Sequence, residues 1–235
     1  MFVALEPRRL YRQVADQIRS LIDAGELAPG ARLPAERDLA ERLAVSRPTI
    51  REALIVLEVE GLVQIRMGSG IYVSSKPTAP HAIQPFQDTD GPFEILQARC
   101  IVESAVAEEA ARHVTPEGIA RLDEILERME QVLADSSEAV ASDFAFHRAI
   151  ATMIGNTALQ HMMGMLSHKR TSPYFEKLAS YFEGPHTWRL ALEEHRVIRD
   201  AIAAADPAAA REAMRRHLTL AQKRFSESFG EEQPR

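Results

Sequence analysis

The chain has 235 residues, enough for two ordinary domains that each bury a core of their own. Its 46% hydrophobic and 26% charged residues are typical of soluble globular proteins. No apolar run has the length of a signal peptide or a membrane-spanning helix, so we expect a cytoplasmic protein without a membrane partner. The single cysteine, Cys100, excludes an intramolecular disulfide and is expected to be buried, while the net charge of −6 does not by itself indicate a nucleic-acid partner.

The first third of the chain contains three helical patterns. Apolar residues at helical spacing predict a helix from Leu10 to Ala24, and Gly25 follows in the position of a C-terminal cap. A second helix is predicted over about 34–43, and a third begins after Ser46, a good N-cap residue, and ends before Gly61. Two short helices joined by so few residues are typical of a helix-turn-helix.

A β-hairpin is predicted directly after the third helix. The β-branched runs 62–66 and 71–73 flank a glycine-containing turn, and a hairpin in this position is a wing. Periodicity is then lost until about residue 91. We predict a winged helix-turn-helix domain over residues 1–76, a linker over 77–91, an all-helical domain over 92–229 and a tail over 230–235.

Five residues of the first domain are predicted to contact DNA. Arg47, Thr49 and Arg51 occupy the first turns of the third helix, the end that points at base edges in this motif. Arg37 can reach a phosphate or a guanine edge from the second helix, and Gly68 lets the wing approach the minor groove closely. The alternative is that these arginines form a solvated surface, but the helix spacing and the wing argue against it.

Motifs in this region resemble the winged helix of the GntR family of bacterial transcription regulators over about residues 8–76. The segments that carry the resemblance are LPAERDLA at 33–40, VSRPTIREAL at 45–54, EGL at 60–62 and GSG at 68–70. The resemblance implies that Arg37, Arg47, Thr49, Arg51 and Gly68 contact DNA. Because helix-turn-helix proteins usually bind half-sites related by two-fold symmetry, we expect a homodimer on a palindromic double-stranded operator.

The remainder of the chain shows helical periods and no strand pattern. About seven helices are predicted, over 92–113, from the N-cap Thr115 onward, and over 139–154, 157–169, 173–182, 185–205 and 207–229. An all-helical domain of this size is most simply an antiparallel bundle, so the predicted fold class is mainly α with one small hairpin.

Four residues of this bundle form a candidate metal site: Asp143, His147, His195 and His217. The first two are one helical turn apart, and each remaining histidine is on its own helix. Three imidazoles and a carboxylate suit a divalent ion, zinc before nickel, manganese or iron, and leave positions open for water or a ligand. The alternative is four ordinary surface or hydrogen-bonded side chains, since periodicity does not say which helices touch. The remaining histidines carry no such pattern and are taken as structural: His81, His113, His161, His168 and His186.

The second domain resembles the FCD effector domain of the FadR subgroup over about residues 92–228. The matching segments are FEILQAR at 93–99, VE at 102–103, DFAFH at 143–147, GN at 155–156, and the histidines at 195 and 217. This resemblance implies a metal held by the Asp/His set beneath a carboxylate effector, with Arg99 as the cation that meets the carboxylate. The alternative for Arg99 is a surface ion pair with Glu103 at i+4. The segment 91–104 is also similar to hexuronate regulators of the UxuR/ExuR type, which implies a sugar acid as the effector.

These features predict a dimeric, ligand-responsive transcription regulator that acts as a repressor and not as an enzyme. An effector that favours one arrangement of the bundle weakens DNA binding when that arrangement misplaces the two DNA-binding domains. A metal-dependent hydrolase or isomerase fused to a DNA-binding domain is the alternative, although no general base is identifiable near the predicted ligands. A further alternative is that the metal itself is the signal.

Overall fold

The computed structural model describes residues 9–75, 91–169 and 173–226. The chain divides into one unit of Met1–Gly91 with Ser226–Arg235 and a second unit of Pro92–Phe225. Apart from Gly91, the predicted linker lies outside the described residues, as does the predicted tail, so both boundaries stay predictions.

The first unit contains three helices and a two-stranded antiparallel sheet. These elements are α1 (Leu10–Asp23), α2 (Glu36–Leu43), α3 (Arg47–Val59), β1 (Val63–Arg66) and β2 (Gly70–Val73). Helix α1 packs on α3, and their buried faces supply much of the core, including Val14, Ile18, Ile50, Leu54 and Leu57. The predicted helix-turn-helix with a wing is therefore confirmed.

Local chemistry sets the helix ends in this unit. Helix α2 begins at Glu36, two residues later than predicted, because Ala35 is extended with φ −60° and ψ 153°. At the start of α3 the Ser46 hydroxyl accepts a hydrogen bond from the backbone N–H of Thr49 at 3.3 Å, as an N-cap does. In the hairpin Val63 pairs with Val73 and Arg66 with Gly70.

The described part of the second unit is helical. Its helices are α4 (Pro92–Arg112), α5 (Pro116–Gln131), α6 (Ser136–Met153), α7 (Thr157–Lys169), α8 (Pro173–Phe182), α9 (Pro185–Ala203) and α10 (Pro207–Ser226). The predicted N-cap Thr115 accepts from the backbone N–H of Gly118 at 3.0 Å, and Asp206 accepts from that of Ala209 at 3.0 Å. The predicted continuation of the last helix over 227–229 lies outside the described residues.

Helix packing in this unit builds one apolar core that surrounds a polar centre. Helix α6 packs on α4, α5 and α7, and α9 packs on α4 and α5. The core includes Leu122, Met129, Phe146, Ile150, Ile198, Met214 and Leu218. Cys100 is only partly buried, contrary to the prediction, because its Sγ lies at the margin where α4 meets α10, 3.9 Å from the backbone oxygen of Arg215.

Candidate functional site

Four of the five predicted DNA-contacting residues are accessible in the first unit. The side chain of Arg37 on α2 is 72% exposed, and that of Arg47 in the first turn of α3 is 43% exposed. Thr49 is half-buried in the same turn. Gly68 is exposed between β1 and β2 with φ +71°, a conformation that favours glycine. Their contacts with DNA stay predictions.

Arg51 differs from these residues because its side chain is only 1% exposed. Its Nε lies 2.8 Å from Oε2 of Glu36, and its Nη2 donates to Oε1 of the same carboxylate at 3.0 Å. Glu36 also accepts from Nε of Arg47 at 2.7 Å. Burial raises the pKa of Glu36, and Arg51 and Arg47 limit that rise by favouring the carboxylate. A base contact by Arg51 therefore requires that it leave a buried ion pair.

The four predicted metal ligands come together in the centre of the second unit. Helix α6 supplies Asp143 and His147, α9 supplies His195 and α10 supplies His217. All four are buried, and one possible ligand atom from each lies within 4.8 Å of the others. The structure brings these four side chains together as predicted, whereas binding of a metal stays a prediction.

Distances between the possible ligand atoms suit one small ion. His195 Nε2 lies 3.2 Å from His217 Nε2 and 3.4 Å from Asp143 Oδ1, and His147 Nε2 lies 3.5 Å from the same carboxylate oxygen. When a tetrahedrally coordinated ion lies about 2.1 Å from each of its ligand atoms, two of those atoms are about 3.4 Å apart. The donor set therefore fits a first-row divalent ion.

Two carboxylates, one buried and one partly buried, orient the outer nitrogens of these histidines. Glu103 Oε2 lies 2.6 Å from Nδ1 of His147, and Glu194 Oε2 lies 2.7 Å from Nδ1 of His217. Each carboxylate leaves the Nε2 of its histidine facing the centre, the arrangement by which proteins fix the tautomer of metal-binding histidines. His195 Nδ1 has no hydrogen-bond partner within the described ranges, but its ring stacks on Phe146 with centroids 4.3 Å apart.

The same carboxylates hold two arginines. Arg99 Nε donates to Glu103 at 2.6 Å, and Arg224 donates to both oxygens of Glu194 at 2.8 and 3.1 Å. Burial opposes ionisation of Glu103, but Arg99 and His147 outweigh burial and lower its pKa to about 2. Glu103 and Glu194 each therefore connect one predicted metal ligand to one arginine.

Electrostatics distinguish the three histidines of the site. Burial and the neighbouring His217 lower the pKa of His195, and burial together with His147 lowers the pKa of His217 despite Glu194. Burial also opposes protonation of His147, but Glu103 and Asp143 outweigh it and raise its pKa. Two imidazoles thus favour the neutral form that binds a metal, and the third binds a proton more readily than an isolated histidine.

A small cavity of about 30 Å³ adjoins this centre. Its lining side chains must move apart to admit a molecule larger than a few waters. Asp143 and His217 line the cavity together with Arg99 and Arg224, and its apolar lining comes from Leu96, Ala191, Leu218 and Ala221. The predicted ion pair of Arg99 with Glu103 exists, but it is buried and not on the surface. Arg99 is therefore both a partner of Glu103 and a wall of the cavity, and Nη1 of its guanidinium is not used in the bonds to Glu103.

Comparison with known proteins decides the family. The bacterial regulatory protein gntR family matches residues 10–73, and the FCD domain matches residues 94–220. The Exu regulon transcriptional regulator of Escherichia coli K12 is 40% identical over 219 residues, covering 91% of this chain and 83% of that protein. This chain belongs to the GntR family. It is a ligand-responsive transcription regulator with an FCD domain, and it is not an enzyme.

Other proteins agree with this assignment. The Uxu operon transcriptional regulator of E. coli K12 is 36% identical over 230 residues, covering 95% of this chain and 90% of that protein. Among solved structures, E. coli McbR/YncC superposes with a TM-score of 0.52 at 23% identity over 93% of this chain and 98% of that one, a likeness of fold alone. Within the described residues of this GntR-family chain, no helix is both long and apolar enough to cross a membrane.

Several residues of the GntR-family regulator's two sites are not predictable from the sequence pattern alone. Glu36, Glu194, Arg224 and Trp188 were not singled out, and Glu103 was considered only as a surface partner of Arg99. Glu103 had a detectable signal, since it lies four residues after Arg99 on α4. The others depend on contacts between separate helices, which periodicity does not reveal. Of the histidines taken as structural, His113, His161 and His186 are exposed, whereas His81 lies outside the described residues and the side chain of His168 is not described.

Proposed function

We propose that this regulator is a homodimeric repressor that binds a divalent metal and a sugar-acid effector in its FCD domain, and that the effector releases a palindromic operator. The observation that carries the proposal is the set of four ligand atoms within 4.8 Å of one another beside a cavity lined by Arg99. Asp143, His147, His195 and His217 would hold the ion, which would supply a Lewis-acidic contact to a carboxylate oxygen.

Charge supports a requirement for the metal. Four carboxylates, of Asp143, Glu103, Glu183 and Glu194, lie in or behind the cavity wall, against two guanidiniums. This leaves two negative charges in excess when all three imidazoles are neutral, and one when His147 is protonated, and either excess repels an anion. A divalent ion offsets that excess, so a carboxylate effector should bind the metal-loaded protein and be rejected by the metal-free protein.

A sugar acid is supported by the relatives and by the mixed lining of the cavity. The similar proteins named for the Exu regulon and the Uxu operon favour a hexuronate. The cavity combines cations for a carboxylate with apolar side chains that can pack on the C–H groups of a carbon chain. These features favour an organic effector over a pure metal sensor.

Thermal-shift measurements test the proposal, because a ligand that binds only the folded state raises its apparent stability. We expect D-glucuronate, D-galacturonate or D-gluconate to raise the melting temperature of the zinc-loaded protein and to have no effect after chelation. If no member of this panel shifts the metal-loaded protein, the effector class is wrong. An equal shift after chelation would instead remove the metal from the effector site.

A further inference from the structure

The single tryptophan of the chain has a buried polar atom without a partner. Trp188 lies in the first turn of α9, where its backbone N–H donates to Gly184 O at 2.9 Å. The residue is 3% exposed and its side chain lines the cavity beside the metal site. Its indole Nε1 is buried and has no hydrogen-bond partner in the part of the chain that the structure describes.

An unsatisfied indole N–H in this position is costly. The group is a donor only, and buried tryptophans usually find an acceptor for it. A cavity wall that only packs against apolar groups needs no such donor, since an apolar side chain leaves no polar atom unsatisfied. Because Trp188 lines the cavity, an acceptor oxygen of a bound molecule would satisfy this donor.

The indole N–H of Trp188 is neutral, unlike the guanidiniums of the site. Arg99 and Arg224 line the same cavity, and their guanidiniums suit a carboxylate. A neutral N–H is better suited to a hydroxyl or carbonyl oxygen than to the principal charge. A ligand that uses both has a carboxylate at one end and a further oxygen along its carbon chain.

We infer that Trp188 is a specificity-determining residue whose indole N–H donates a hydrogen bond to a non-carboxylate oxygen of the effector. The inference rests on the proposed function and deepens it. In this role Trp188 selects hydroxylated carboxylic acids over simple carboxylates of the same charge, because only the hydroxylated acids satisfy the buried donor. A site built to hydrogen-bond a hydroxyl rejects the analogue that lacks it through the unpaired group left behind.

The test compares D-glucuronate, D-galacturonate and D-gluconate with acetate by calorimetry on the zinc-loaded full-length protein. In the wild type we expect a sugar acid to bind more tightly than acetate and to change the fluorescence of Trp188, the single tryptophan of the chain. Trp188→Phe should weaken sugar-acid binding by about 5- to 10-fold, the usual range for one hydrogen bond, and leave acetate binding unchanged.

A second variant separates the hydrogen bond from packing. Replacing Trp188 by benzothienylalanine keeps the bicyclic shape but removes the N–H, so it should reproduce the selective loss with unchanged zinc affinity and melting temperature. If wild-type protein binds sugar acids but both variants bind them equally well, the role of Trp188 is wrong and the proposed function stands. If wild-type protein binds no sugar acid, the proposed effector and this inference both fail.

Discussion

Glu36 and Arg51 form an ion pair inside the DNA-binding unit, with 2.8 Å between Glu36 Oε2 and Arg51 Nε and at most 1% of either side chain exposed. Glu36 also holds Arg47, which is 43% exposed in the first turn of α3. One buried carboxylate thus ties α2 to two arginines of α3. Glu36 therefore affects both the stability of this unit and the position of Arg47, a predicted DNA contact.

Removing Arg51 leaves the carboxylate of Glu36 buried with one cation fewer. We expect Arg51→Ala to destabilise the DNA-binding unit by about 3 to 5 kcal/mol in urea unfolding. Changing both partners, with Glu36→Gln and Arg51→Met, should recover most of that loss because no uncompensated charge remains. If the free energy of unfolding of Arg51→Ala lies within about 0.5 kcal/mol of the wild-type value, the pair does not stabilise the unit.

The double variant also tests whether Arg51 contacts DNA. If Arg51 leaves its partner to contact a base, the folded double variant should bind the operator about 1 to 3 kcal/mol more weakly than Glu36→Gln alone, which also frees Arg47 from Glu36. Equal operator affinity in the folded double variant and in Glu36→Gln would remove Arg51 from the interface. The stability measurement is needed first, because unfolding alone would mimic the loss of a contact.

Arg37 and Arg47 are expected to bind DNA directly. Each substitution by Ala should weaken operator binding, and loss of a phosphate contact should reduce the slope of log affinity against log salt by about 1. Arg42→Ala is the matched control, since Arg42 is exposed in the last turn of α2. If Arg37→Ala and Arg47→Ala bind the operator no more weakly than Arg42→Ala does, these assignments are wrong.

Sequence patterns predicted the elements of this protein better than the contacts between them. Apolar spacing and caps such as Ser46 and Thr115 are local signals, so the helices and the wing were predictable. The meeting of Asp143 with His195 was a conditional prediction, because periodicity gives the face of each helix but not its neighbour. The burial of Arg51 was not predictable, since it depends on Glu36, which lies fifteen residues earlier on another helix.

Glu194 should control metal affinity through His217. Because its carboxylate fixes the outer nitrogen of this histidine, Glu194→Gln is expected to lower zinc affinity by about 10- to 100-fold in a chelator competition assay. Glu193→Gln is the control, since Glu193 is the exposed neighbour on α9. Equal zinc affinity in the two variants would show that Glu194 does not support the metal site.

Arg99 is expected to carry the effector response and not DNA binding. In a variant shown to be folded and zinc-loaded, Arg99→Ala should leave the affinity for the free operator unchanged, whereas release by the effector, measured by fluorescence anisotropy, should be lost. The zinc check is needed because Glu103, the partner of Arg99, also orients His147. Arg112→Ala is a suitable comparison because Arg112 lies at the exposed end of the same helix. A normal effector response in a folded Arg99→Ala protein would remove this residue from the effector site.

Metal and sugar acid are expected to act together on operator affinity. The most direct measurement is fluorescence anisotropy of an operator selected by the protein from random duplexes, titrated with the protein in zinc and in chelator, with and without a hexuronate. We predict that hexuronate lowers operator affinity about 5- to 150-fold with zinc bound and has no effect after chelation. Operator affinity that changes with zinc but not with any sugar acid would contradict the account and identify a metal sensor.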